Sequence, residues 1–224
     1  MLQKATVRPT VLRNYVDDSL KQKDYFGFKK MITVDDMFHA RVHYGHKVGT
    51  VHDKMKWSLF GERLGVCIFD LQKTRDCLIR ALNFAAHMAM RGGMFLFITS
   101  DRNNMLMVEK KAMEVGEFVH VRRWQVDTLL NAQDLFGAPV RLPDTIILLS
   151  TLTSVLETHP AVREAAKLVI PTIAIVDSNA DPTYITYPVP GNDDSTSSVQ
   201  YFMNSFTNAI KIGKEARQTL IGDA

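Results

Sequence analysis

Cysteine is scarce in this chain: Cys67 and Cys77 are its only two in 224 residues. They fall on a predicted strand and on the helix after it, without C-x-x-C spacing. They read as two buried thiols in a reducing compartment, with a metal site or a disulfide as the competing reading. Long apolar runs are also missing. No stretch reaches the roughly 18 uninterrupted apolar residues of a membrane span, and the N-terminus lacks the apolar core of a signal peptide. Excess charge is small, with 27 bases against 24 acids. A surplus of that size does not announce a nucleic-acid binder, so such a claim needs local support. The glycine motifs of common active sites are absent too: there is no G-x-G-x-x-G, no G-x-x-x-x-G-K-[ST] and no G-x-S-x-G.

What is present is a soluble-protein composition, 46% apolar and 23% charged, enough for one real core. Residues 1–30 show little periodicity and read as an arm. Lys4, Arg8 and Arg13 precede the first acid there, which fits a transit-peptide remnant. Thr33 offers an N-cap to a short helix carrying Val34, Met37 and Phe38. Residues 41–63 lose the apolar rhythm and read as a long loop. Alternation then begins. Strands are predicted at 66–71, 94–99, 144–150 and along "PTIAIVD", with a short candidate at "FVHV". Helices are predicted near 73–90, 104–116, over "HPAVREAAKLV" and from Ser195 to Ala216. Continuous apolar strands between helices imply a mostly parallel sheet buried on both faces, a three-layer α/β/α domain. That domain spans 31–218, with a tail at 219–224.

Open α/β sheets bind ligands beyond the carboxyl ends of their strands. Here those ends read Asp70, Ser100–Asp101, Ser150 and Asp177. The stretch "YPVPGNDDS" (187–195) places Asp193, Asp194 and Ser195 where the last helix begins. Such residues cap orphan backbone N–H groups and meet the positive end of the helix dipole. A structural cap is therefore expected, filling the phosphate position with the protein's own anions; a metal-binding acid pair is the alternative. Gly92–Gly93 lies between a helix and the following strand, the place of a helix stop. His39 and His43 stand at the i, i+4 spacing of zinc ligands, but Gly45 and Gly49 argue for loop, and no metal is expected.

The window 41–63 holds Arg41, Lys47, Lys54, Lys56 and Arg63 against Asp53 and Glu62. Its surplus of three equals that of the whole chain. Glycines 45, 49 and 61 allow close backbone approach. His43, Tyr44, His46 and Trp57 add rings suited to irregular RNA. Composition leaves a plain solvated loop as the other reading. For His43 and His46, RNA contact and internal hydrogen bonding stand side by side. Arg122–Arg123–Trp124 forms a second cluster, read either as RNA contact or as an Arg packed on an indole.

In order, "HYGHK" (43–47), "DKM" (53–55), "FGERLGVCIFDLQKT" (60–74), "RGG" (91–93), "RRW" (122–124), "LPD" (142–144), "AVREAAKLVIP" (161–171), "IVDSNADP" (175–182) and "YPVPGNDD" (187–194) resemble the universal family of small ribosomal subunit protein 2. The resemblance runs from about Val34 to Ala216. It implies a flavodoxin-like fold without flavin, cofactor or catalysis. It also implies a structural place on the solvent side of the small subunit, near the head–body junction, touching ribosomal RNA and neighbouring proteins but no membrane. Two departures stand out: Val126 and Asp127 occupy the place of a family glycine pair, and Arg41 replaces a family glycine. Only Gln125 to Arg141 separate the tryptophan from Leu-Pro-Asp, too few for the long helical hairpin of bacterial members. That gap resembles the animal mitochondrial branch, which implies the mitochondrial matrix and mitochondrial translation. RNA contacts are then expected at Arg41, His43, His46, Lys47, Lys54, Lys56 and Arg63, with Arg91, Arg122 and Arg123 as further candidates. A flavin- or nucleotide-binding enzyme on the same fold is the rival.

Overall fold

The computed structural model describes residues 19–137, 140–154 and 157–222. Five strands form one parallel sheet in the order β5-β4-β6-β7-β8: β4 (Phe95–Ile98), β5 (Phe118–His120), β6 (Thr145–Leu148), β7 (Thr172–Val176) and β8 (Tyr187–Pro190). The two faces divide by residue parity, as the strand period of two demands. Phe95, Phe97, Ile147, Ile173 and Ile175 bury toward α3 (Leu71–Met90), α4 (Met105–Glu114) and α7 (Thr196–Gly222). Ile98, Ile146, Leu148, Ala174 and Val176 bury the other way, against Trp124 and against Ala161, Val162 and Ala165 of α6 (Pro160–Lys167), which follows the short α5 (Ala132–Phe136). The α/β, three-layer expectation is met.

Helices α3 and α7 cross closely because small residues meet there. A Cβ on Gly213 would stand 2.3 Å from Ala86 O and 2.8 Å from Ala89 Cβ. Helix α3 ends at Arg91, and Gly92 (φ 77°) reverses the chain while Gly92 N–H and Gly93 N–H bond back to Ala89 O and Met88 O. The glycine pair is a helix stop, as its position predicts. Thr33 caps α2 (Val34–His39) by accepting Asp36 N–H at 3.2 Å.

Five features depart from the sequence-based expectation. Residues 41–63 are not a loop: they contain β1 (Tyr44–Lys47), two 3-10 turns (Val48–Thr50 and Asp53–Ser58) and β2 (Leu59–Arg63). Strand β3 (Val66–Phe69) lies outside the parallel sheet, at the centre of a separate antiparallel sheet ordered β1-β3-β2. Its alternating burial, with Cys67 and Phe69 inside, fits a sheet with one dry face. The "YPVP" stretch, absent from the predicted strands, is an edge strand. Gly191 N–H bonds to Val176 O, so odd-numbered residues face β7 and the N–H positions that Pro188 and Pro190 lack fall on the side away from it. The end of the predicted arm is also built in: α1 (Phe28–Met31) buries Phe28 in the core, and Arg75 of α3 donates to Ile32 O at 2.7 Å. Helix α7 likewise runs through 219–222, so only the last two residues of the predicted tail lie outside the described residues. Both cysteines are buried and free.

Candidate nucleic-acid interface and the strand-end cavity

The three-stranded sheet turns one face to solvent. Lys47 of β1 and Arg63 of β2 both register against Val66 of the central strand. Since Cys67 points inward, this row points outward, with the two cations about 10 Å apart across two strand spacings. The next row aligns Tyr44, Ile68 and Gly61. The β2–β3 hairpin turns at Leu64 and Gly65, both left-handed (φ 52° and 76°), a pairing that matches the strand twist. Leu64 at its tip is 95% exposed and Phe60 is 81% exposed, with Trp57 nearby in sequence also exposed. Lys47 and Arg63 form no ion pair among the described residues, so their charge is free to meet an anion.

Other predicted contacts are differently occupied. Lys54 ion-pairs with Asp181 at 3.3 Å and also reaches the Thr183 hydroxyl. Lys56 pairs with Asp53 at 2.7 Å, fully in solvent, where such a pair is weak and easily exchanged. Arg41 is exposed and adopts φ 61°, and its carbonyl accepts from the Asn192 amide at 3.2 Å. The left-handed backbone that suits a glycine is thus retained under an arginine side chain. Asp127 likewise sits at φ 64°. Arg91 precedes β4 and so lies at the amino end of the parallel sheet. Arg122 and Arg123 follow β5 at its carboxyl end, both exposed. These clusters occupy separate parts of the surface.

The two histidines point inward. His43 is buried and stacks on Phe38 at 4.4 Å with an interplanar angle of 9°; burial holds its pKa below the usual histidine value. His46 turns into the end of the parallel sheet. Its Nδ1 lies 3.1 Å from Asp177 Oδ2 and its Nε2 lies 3.4 Å from Asp194 Oδ2. The hydrogen bond with Asp177, reinforced by the charges of Asp177, Asp194 and Asp193, raises its pKa to about 9. His39 and His43 are not brought together as a metal pair, since His39 ends α2 and His43 is in the core.

Behind the cationic face, the loop after β7 clamps this segment. Ser178 Oγ accepts His46 N–H at 2.9 Å and Ser178 O accepts His52 N–H at 2.8 Å. A Cβ on Gly45 would come within 3.1 Å of that same hydroxyl, so glycine permits the close approach. Nothing in the sequence announces these pairings, which join residues more than 120 positions apart.

The predicted cap is arranged otherwise. Asp193 accepts from Ser150 Oγ at 2.8 Å, and Asp194 is engaged by His46. Asn192 Oδ1, instead, accepts the N–H groups of Asp194 and Ser195, while Ser195 Oγ meets Ser197 Oγ at 2.8 Å. Burial, followed by the neighbouring Asp177 charge, pushes the Asp193 pKa up. The strand ends are therefore not sealed. They border a polar cavity of about 320 Å³ lined by His46, Ser100, Asp101, Asn179, Asp193 and Asp194. A phosphate site at a helix start needs free N–H donors or bases; this rim presents carboxylates.

The Arg-Arg-Trp motif resolves into two parts. Trp124 is buried, and its Nε1 donates to Glu164 Oε1 at 3.0 Å. The same carboxylate accepts Asp127 N–H and Leu129 N–H, each at 2.9 Å. Neither arginine packs over the indole; His120 and His159 meet it edge-on. Glu164 was legible in principle, because helical spacing puts it on the face of Ala161 and Ala165.

An α/β domain with an acid-lined strand end and a cationic, ring-bearing side sheet defines a structural binding protein better than an enzyme. The family model for ribosomal protein S2 matches residues 37–139 and 138–213. The chain is 48% identical over 205 residues to small ribosomal subunit protein uS2m of Bos taurus, covering 92% of this chain and 70% of that protein. It is 30% identical over 230 residues to uS2 of Dictyoglomus thermophilum, covering 84% of this chain and 92% of that protein. Similarity to uS2c of Euglena gracilis is 30% over 225 residues, 82% of this chain. The chain belongs to the ribosomal protein S2 family, on its mitochondrial branch. That family is structural, not enzymatic, which removes the flavin- or nucleotide-dependent enzyme as a reading.

Proposed function

We propose that this chain is a structural constituent of the mitochondrial small ribosomal subunit, held in the matrix by contacts with ribosomal RNA and with neighbouring ribosomal proteins. The observation that carries the RNA contact is the outward row Lys47–Val66–Arg63, whose two cations lack acidic partners beside exposed rings. Arg41 extends the charge, and Lys54 and Lys56 add to it by exchanging weak surface pairs for phosphates. Arg91, Arg122 and Arg123 serve separate contacts. His43 and His46 act from inside, ordering the segment rather than touching RNA. The cap assigned to Asp193, Asp194 and Ser195 is retained in a modified form: Asp193 and Asp194 hold the start of α7 through Ser150 and His46, and Ser195 meets Ser197 within the first turn. Residues 1–30 meet protein neighbours in their first part, with 31–218 as the body and 219–224 as its end.

Filter binding of the purified chain to transcribed small-subunit RNA over a potassium chloride series tests this. Lys47→Glu with Arg63→Glu weakens binding and flattens the salt slope by roughly 1.4–1.8, at about 0.7–0.9 per phosphate contact. An unchanged slope, with the double variant still sedimenting with small subunits, overturns the RNA contact on this face.

A further inference from the structure

At the amino end of the parallel sheet, away from the loop that clamps the cationic side sheet, the surface is apolar. Helix α5 and the last turn of α6 wall a groove of about 220 Å³ lined by Leu129, Leu130, Asp134, Val140, Leu142 and Leu168. Leu130 and Val140 are exposed within it, and Leu135 is exposed on α5 beside it. Val169 follows Leu168 and is 86% exposed at φ 57°. A β-branched residue there carries backbone strain and wets apolar surface, with no compensating contact in the isolated chain. Apolar side chains gathered on one exposed patch mark an interface.

Relatives carry more chain at the same place. The alignment with uS2 of Dictyoglomus thermophilum spans 230 positions but 84% of this chain, about 188 residues, which leaves about 42 positions without a counterpart here. The alignment with uS2c of Euglena gracilis leaves about 41 in the same way. The alignment with Bos taurus uS2m, 205 positions over 92% of this chain, leaves none. The family match breaks at 138–139, just before Val140. The additional residues of those relatives thus leave and rejoin the body at the rim of this groove.

We propose that the groove docks an amphipathic helix of a neighbouring small-subunit protein, its apolar stripe seated on Leu130, Leu135, Val140 and Val169, where some relatives carry chain of their own. A helix rather than a strand follows from the walls: β6 and β7 are interior strands paired on both sides, so the groove offers side chains and no open ladder. Asp134 on one wall and Lys167 on the other are exposed and form no ion pair among the described residues. A helix with a base on one flank of its stripe and an acid on the other meets both. RNA fits less well, because Asp134 repels phosphate and four apolar side chains go unmet. The partner's class rests on the ribosomal reading; the surface itself does not involve the cationic face.

Site-specific photocrosslinking provides the test. Small subunits are sedimented from cells whose full-length chain carries benzoylphenylalanine at position 135, then irradiated, and the joined peptides are identified by mass spectrometry. The expected crosslink falls in one small-subunit protein, on a segment with apolar residues at i, i+3 or i+4, and i+7. Leu135→Glu with Val140→Glu lowers that protein's amount in small subunits about tenfold. The purified double variant keeps the wild-type urea midpoint and RNA affinity, since both side chains are exposed and remote from the cationic face. Val169→Gly also lowers the partner's amount, although it relieves strain in the chain alone. A crosslink to RNA or to a second copy of the chain, no crosslink, or an unchanged partner amount in the double variant overturns the docking and leaves the ribosomal assignment standing. A chain that does not sediment with small subunits overturns that assignment, and the docking with it.

Discussion

Trp124 hangs from Glu164. The indole N–H and the Asp127 N–H meet Oε1 at 3.0 and 2.9 Å, and the Leu129 N–H meets Oε2 at 2.9 Å. One buried acid therefore organises the entire turn after β5. Glu164→Ala leaves three donors unpaired and costs on the order of 3–5 kcal/mol. Thermal unfolding drops by on the order of 10 °C, and Trp124 fluorescence shifts to the red as the ring meets water. Glu164→Gln keeps one acceptor oxygen and costs less.

Val169 is β-branched yet sits at φ 57° just past α6, where Ile170 N–H bonds back to Ala165 O at 2.9 Å. Its side chain is largely in solvent and packs nothing that would be lost. Val169→Gly removes the left-handed strain at a smaller entropic cost, giving a net gain of about 0.5–1 kcal/mol. The urea midpoint rises, with an unchanged slope. A lower midpoint would show that the turn does not hold that backbone in solution.

Gly213 marks the closest approach of α7 to α3. Gly213→Ala gains helix propensity of about 1 kcal/mol, yet its methyl would press on the Ala86 carbonyl, a backbone atom with little room to retreat. Overpacking wins, with a net loss of about 1–3 kcal/mol measured by chemical unfolding.

His159 sits buried beside Trp124, its Nδ1 accepting Ala161 N–H at 3.2 Å at the start of α6. Burial, and next the facing His120, lower its pKa from 6.5 to about 4. Between those values the unfolded chain binds a proton that the folded chain refuses. Stability attributable to this residue therefore falls as pH drops from about 6.5 toward 4, by on the order of 2–3 kcal/mol, and is flat above. His159→Asn retains a capping acceptor and removes the titration. Urea midpoints near pH 7.5 and near pH 4.5 should differ less in the variant than in wild type.

The parallel sheet was legible because β6 and β7 are uninterrupted apolar runs that only a doubly covered strand tolerates. The side sheet was not. Gly45 and Gly61 interrupt β1 and β2, bulges break both ladders, and exposed residues mask the alternation. The cations of the candidate interface could be named from composition, but not which of them are already paired. That depends on Asp181 meeting Lys54 across 127 positions. For His46 the sequence leaves RNA contact and internal hydrogen bonding side by side; its engagement by Asp177 and Asp194 is a tertiary fact, with no local spacing to betray it.

The outermost strand of the parallel sheet carries prolines at 188 and 190, whose missing amide hydrogens would have pointed away from β7. The same two residues thus withhold two of the donors that an edge-to-edge contact with another strand would use.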